Sequence, residues 1–126
     1  MRVPISWLRD YAPLPHDPNA IVERLATLGF PVDAVVPRPV ISGVVVGRIE
    51  KMEKHPNADR LQVCTIDAGT GRPLTIATAA TNVAEGQVIP VATIGARLPE
   101  LTIEPRKMRG IASEGMLCSA GELALE

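Results

Sequence analysis

The chain has 126 residues, a formal net charge of −1, 46% hydrophobic residues and 21% charged ones. That apolar content supports a packed core and is too high for a disordered tail. No apolar run reaches the roughly 18 residues of a membrane span, and residues 1–15 lack the basic flank and apolar stretch of a signal peptide.

Residues 1–39 read as a small helical and extended segment. Pro4-Ile5-Ser6-Trp7-Leu8 opens a short helix, with Leu8 and Tyr11 on one face. Asp17-Pro18 starts a second helix: aspartate caps the free N–H groups, and proline at the first helical position sacrifices no hydrogen bond. Ile21, Leu25 and Leu28 then recur at helical spacing, and Gly29 supplies a left-handed stop. Phe30 to Val36 is a strand candidate. So short a segment has little core of its own and needs the rest of the chain, or residues beyond position 126, for cover.

Pro37-Arg38-Pro39 marks a boundary, because prolines this dense break both helix and sheet. Beyond it the pattern changes to short runs rich in Val, Ile, Leu and Thr: Val40–Met52, Leu61–Asp67, Leu74–Ala80, Val88–Ile94 and Leu101–Met108. The separators are His55-Pro56-Asn57, Ala68 to Gly71, Asn82 to Gly86, and Gly95 to Pro99, all of turn chemistry. Alternation falters where Leu61 and Val63 oppose Cys64 and Ile66, which suggests a bulge there. Ser119 and Glu122 form a capping box, which predicts a short terminal helix. The reading is therefore mainly β, α+β overall: a five-stranded OB-type barrel over residues 40–126, preceded by a helix–helix–strand segment over residues 1–39.

Catalytic signatures are missing from the sequence: it has no phosphate-cradling glycine loop, no metal-ligand spacing and no nucleophile elbow. His16 reads as a solvated loop residue, and His55 alone reads as a turn residue. Cys64 and Cys118 read as free thiols. Cys118 stands either where a helix N-terminus would lower its pKa or as a small buried side chain. The aromatics are Trp7, Tyr11 and Phe30, so from Val40 onward no stacking platform for single-stranded nucleic acid can be built. Basic residues fall in two groups. Arg48, Lys51, Lys54 and Arg60 bracket the first run and its turn, and Arg106, Lys107 and Arg109 end the last run. Two readings stand side by side: a phosphate-binding stripe, if the fold brings the groups together, or a solvated face balanced by Glu50, Glu53, Asp59 and Glu104.

Four segments then carry a family resemblance. His55-Pro-Asn57-Ala-Asp59-Arg60-Leu61 resembles the signature turn of tRNA-binding domains of the EMAP-II and Trbp type. So does Lys107-Met-Arg109-Gly110-Ile-Ala-Ser113-Glu-Gly115-Met116-Leu-Cys118-Ser119. Ala79-Ala-Thr81-Asn82-Val83 and Val91 to Pro99 match further family segments in the same order. Thr78, Ala79 and Thr81 depart from the family's cysteine, glycine and proline. The opening, Met1 to Tyr11 with Leu28-Gly29-Phe30-Pro-Val32-Asp33, is similar to the start of bacterial phenylalanine–tRNA ligase β subunits, which free-standing tRNA-binding proteins lack.

The resemblance implies a non-catalytic tRNA-binding portion of a cytoplasmic α2β2 ligase, with the α subunit and tRNA as partners and neither DNA nor membrane. The complete enzyme would use ATP and Mg²⁺, with no cofactor held by these residues. By motif position, the candidate tRNA contacts are Lys54, His55, Asn57, Arg60, Asn82, Arg106, Lys107, Arg109, Ser113 and Met116. Gly110 and Gly115 are expected to serve backbone geometry, and Asp59 to orient Arg60. The competing expectations are a mainly structural packing module of the ligase, which the near-neutral charge favours, and a free-standing structure-specific tRNA-binding protein.

Overall fold

The computed structural model describes residues 1–125, and the chain divides into two compact units, Met1–Arg38 and Pro39–Glu126. In the first unit, α1 spans Ile5–Tyr11 and α2 spans Pro18–Thr27. The Asp17 carboxylate accepts from the Asn19 N–H at 3.0 Å, and Pro18 takes the first helical position. At the other end the Phe30 N–H donates to Leu25 O at 2.9 Å and the Gly29 N–H to Ala26 O at 3.0 Å. This paired closure requires a left-handed residue, which Gly29 supplies at φ 86°. Phe30 to Val36 forms no strand, contrary to the sequence reading. β-branched content favours a strand only where a neighbouring strand is in register, and none lies beside it within this unit. Ile21 is the buried side chain of the unit.

The second unit is a five-stranded barrel with a small added hairpin. Its strands are β1 (Ser42–Lys54), β2 (Gln62–Asp67), β3 (Leu74–Thr78), β4 (Val88–Arg97) and β7 (Gly115–Leu117), while β5 (Arg106–Met108) and β6 (Ile111–Ser113) form the hairpin. The sheet order is β3-β2-β1-β4-β7, antiparallel throughout. The long β1 serves both sides, pairing residues 42–48 with β4 and residues 48–54 with β2. Near the junction of these halves Gly47 lies against Ile66 and Val91: a Cβ there would meet a methyl of each at 2.8 Å. The register shift sits in β1, between Ile49 and Lys51, rather than in β2, where the sequence placed it. β2 alternates cleanly, with Cys64 and Ile66 inward.

The fifth predicted run, Leu101–Met108, is not the strand that completes the barrel. β4 runs through Gly95 to Arg97 and turns at residues 98–101, with an isolated bridge from Arg97 to Thr102. Completion falls to β7, which pairs with β4 at Val91, Ala92 and Thr93. The seam back to β3 is made by Ser113 and Glu114. The Glu114 N–H donates to Thr75 O at 2.8 Å, and its carboxylate accepts from the Thr75 N–H at 2.9 Å. The Ser113 hydroxyl accepts from the Ala77 N–H at 3.1 Å and donates to Gly115 O at 3.0 Å.

The interior cluster is Ile49, Cys64, Ile66, Leu74, Ile76 and Val91. A second cluster, Ala92, Ala96, Leu98, Ile103, Cys118 and Leu123, packs together beyond it. The Ser119–Glu122 capping box forms as expected, with Glu122 accepting from the Ser119 N–H at 2.7 Å. It starts a single turn rather than a helix. Leu125 N–H donates to Ala120 O, and Ala124 is left-handed at φ 51°, which ends the turn at once. Glu126 lies outside the described residues.

Candidate nucleic-acid interface

Two segments far apart in sequence meet at one end of the barrel. One is the turn between β1 and β2, residues 55–61. The other is the β5–β6 hairpin within the long connection from β4 to β7. OB barrels bind oligonucleotides through the loops in these two positions.

The turn is closed by its own backbone: His55 N–H to Leu61 O at 3.0 Å, and Leu61 N–H to Ala58 O at 3.1 Å. His55 is buried, 4% exposed. Its Nδ1 accepts from the Asn57 N–H at 3.0 Å, and its Nε2 lies 2.7 Å from Met108 O. A carbonyl only accepts, so Nε2 carries the proton and the ring is the neutral tautomer. That bond ties the turn to the hairpin across 53 positions of sequence.

The hairpin itself has a two-residue loop. Met108 pairs with Ile111, and Arg109 (φ 51°) and Gly110 (φ 92°) between them are both left-handed. Such a loop matches the twist of its strands, and it usually carries Asn-Gly. Arginine at the first position accepts a strain that asparagine would bear more easily.

Lys54, Asn57, Arg60, Arg106, Lys107 and Arg109 are exposed. Among the described residues the ion pairs are Lys51–Glu53 at 2.7 Å and Arg72–Glu114 at 2.6 Å, so none of those five cations is spent on a carboxylate. Lys51 is: the hydrogen bond to Glu53, then the charge of that carboxylate, hold its pKa above the usual lysine value. Asp59 makes no ion pair with Arg60 among the described residues, so the expected orienting contact does not form.

The other candidates are placed differently. A groove of about 720 Å³ beside the hairpin takes Asn82, Arg106, Met108, Ser113 and Met116 into its lining. Ser113 is 6% exposed, and its hydroxyl is committed to the barrel seam. Met116 is half-buried against the second apolar cluster. The loop leading to Asn82 does not need the family's glycine: Ala79 has an ordinary backbone, and the Thr78 hydroxyl accepts from the Ala80 N–H at 3.1 Å to shape the turn.

Sequence reasoning missed Glu114 and the carbonyl of Met108. Glu114 had a signal, a carboxylate between two small residues, but its partner Arg72 is 42 positions away. The Arg72 hydrogen bond, then the Thr75 N–H, hold its carboxyl below the usual range. Cys118 settles as a small buried side chain: burial raises its thiol pKa, as it does for Cys64. Among the described residues, no three His, Cys, Asp or Glu side chains gather as metal ligands.

Comparison with known proteins agrees with this geometry. Residues 44–126 match the family described as "Putative tRNA binding domain". The phenylalanine–tRNA ligase beta subunit of Symbiobacterium thermophilum is 49% identical over 125 residues, covering 98% of this chain and 14% of the relative. The subunit of the same name from Synechococcus elongatus is 43% identical over 128 residues, covering 99% of this chain and 16% of the relative. That of Xanthomonas campestris is 45% identical over 127 residues, with 100% and 16% covered. The chain thus spans 14–16% of the length of these relatives. Among solved structures, the C-terminal domain of Plasmodium vivax p43 shares the fold at a TM-score of 0.50 and 21% identity, covering 64% of this chain and 46% of that one. The barrel, its two joined basic segments and the match over residues 44–126 together place the chain in the tRNA binding domain family.

Proposed function

We propose that this chain is a non-catalytic tRNA-binding portion of a phenylalanine–tRNA ligase β subunit, and that it grips tRNA by its phosphates. The observation that carries this reading is the His55–Met108 bond, which joins the segment that carries Lys54 and Arg60 to the segment that carries Lys107 and Arg109. Phosphate contacts of this kind supply affinity and orientation without reading bases. The absence of aromatics beyond Val40 fits a backbone- and shape-reading surface, since stacking on bases needs aromatic side chains.

Lys54, Asn57, Arg60, Arg106, Lys107 and Arg109 are the direct contacts in this proposal, with Asn82 and Met116 on the adjoining groove. His55 and Ser113 support them from within. On the same reading the chain works in a cytoplasmic α2β2 ligase with an α subunit. ATP and Mg²⁺ belong to that whole enzyme's reaction. No helix among the described residues is long and apolar enough to cross a membrane.

The test is a tRNA titration at two salt concentrations, with single-stranded RNA of equal length as control. Salt-sensitive binding that prefers folded tRNA is expected. Replacing Arg60, Lys107 and Arg109 together by alanine should lower the slope of log affinity against log salt by roughly 2 to 3. No binding at low salt would favour the packing-module reading, which the net charge of −1 supports.

A further inference from the structure

We infer that His55 is a positioning residue for RNA binding: its neutral imidazole joins two basic segments into one phosphate-binding surface without touching RNA itself. The inference rests on the tRNA-binding reading above.

A ring that is 4% exposed cannot serve as a surface contact. Both ring nitrogens are committed, Nδ1 to the Asn57 amide and Nε2 to the Met108 carbonyl. A buried polar group with every partner supplied by the protein holds those partners in place. Of the two ring partners, the Asn57 amide lies within the turn and the Met108 carbonyl lies between two cations of the hairpin. Lys54 directly precedes His55 in the chain. Arg60 directly precedes Leu61, whose carbonyl accepts from the His55 N–H at 3.0 Å. Lys107 and Arg109 flank Met108, whose carbonyl accepts from Nε2. The His55 backbone thus holds the turn that carries Lys54 and Arg60, and its ring ties that turn to the carbonyl between Lys107 and Arg109.

Without this junction, the turn and the hairpin would have to be brought into register as RNA binds. Ordering them then costs affinity, and a phosphate backbone would engage one segment at a time. With it, the surface is arranged beforehand.

Two replacements separate the roles of the nitrogens. In His55→Asn the side-chain oxygen can still accept from the Asn57 N–H, but the amide is too short to reach Met108 O. In His55→Gln the terminal amide can reach Met108 O and donate to it. The decisive readout is the salt slope of tRNA binding in the complete chain, because a chain that is merely part-unfolded loses active fraction and keeps its slope.

His55→Asn is expected to weaken binding about tenfold and to lower the slope by roughly 1 to 2, as if the contacts of one segment were lost. His55→Gln is expected to recover most of both. A wild-type slope in His55→Asn, beside a lowered slope when Arg60, Lys107 and Arg109 are alanine, overturns the positioning role alone. A wild-type slope in that triple replacement overturns the surface assignment and the positioning role with it.

Discussion

Residues 1–38 hold all three aromatic side chains of the chain and leave them exposed, Trp7 at 65%, Tyr11 at 91% and Phe30 at 64%, with Ile21 buried. Residues 39–126 hold no aromatic, yet bury Ile49, Ile66, Ile76, Val91, Cys64 and further apolar residues of modest size. Size of side chain and depth of burial are thus inverted between the two units. In the first, structure is specified locally: the Asp17 cap, the proline at the first helical position and the Gly29 closure define α2 with neighbours at most five residues away. In the second, structure is specified at long range, by strands that pair and a seam that closes. Capping signals make a helix without making a core, and a closed sheet makes a core from Val, Ile, Ala and Cys. A segment of about 40 residues has too little interior to hide an indole.

The largest expected effects strike the core. Ile76→Ala removes a fully buried side chain from the barrel interior and should cost about 3 kcal/mol, read from urea unfolding followed by far-UV circular dichroism. Gly115→Val should match or exceed it, because a Cβ at Gly115 would stand 2.5 Å from the Ala92 carbonyl oxygen on the strand it must pair with. The contrast between units is tested directly by a peptide of residues 1–38, which should show little helix, and by a chain of residues 39–126, which should unfold in one cooperative transition. A cooperative transition in the shorter piece would break the comparison.

An intermediate effect is expected at the seam. Arg72, then the Thr75 N–H, depress the folded-state pKa of Glu114 below its unfolded value near 4.5. A depressed carboxylate contributes stability that is fully present above the unfolded pKa and is lost as pH falls through the folded one. Barrel stability should therefore decline as pH drops below about 4.5, and Glu114→Gln should flatten that decline. An unchanged pH profile in Glu114→Gln would remove the carboxylate from the closing mechanism.

Smaller effects sharpen the local side of the comparison. Asp17→Ala removes the cap of α2 and should cost that helix about 1 kcal/mol, seen as lost helical ellipticity. Arg109→Gly relieves the left-handed arginine and should stabilise the hairpin by about 0.5 kcal/mol, while weakening tRNA binding on the proposed reading. A gain in stability with unchanged binding would leave the strained arginine without a purpose.

How far the sequence could be read follows the same division. Asp17-Pro18, Gly29 and the Ser119–Glu122 capping box were legible because each acts on backbone atoms within a few positions. Four of the five barrel strands were legible from β-branched runs and turn residues. The strand that completes the barrel was not. Gly115-Met116-Leu117 is too short to show periodicity, while the longer run at Leu101–Met108 carried the apolar pattern and contributes Ile103 to the second cluster instead. The shift at Ile49/Lys51 was also hidden, because a bulge is a relation between two strands.

The site divides likewise. Which residues carry positive charge, and that the first turn and the closing block resemble a tRNA-binding family, could be taken from the sequence by itself. That the two blocks touch, that Ser113 faces inward and that His55 is a buried junction were decided only by the tertiary structure. Charge and turn propensity are properties of one residue and its neighbours along the chain. Burial and hydrogen-bond partnership across 53 positions exist only once the strands between them have paired.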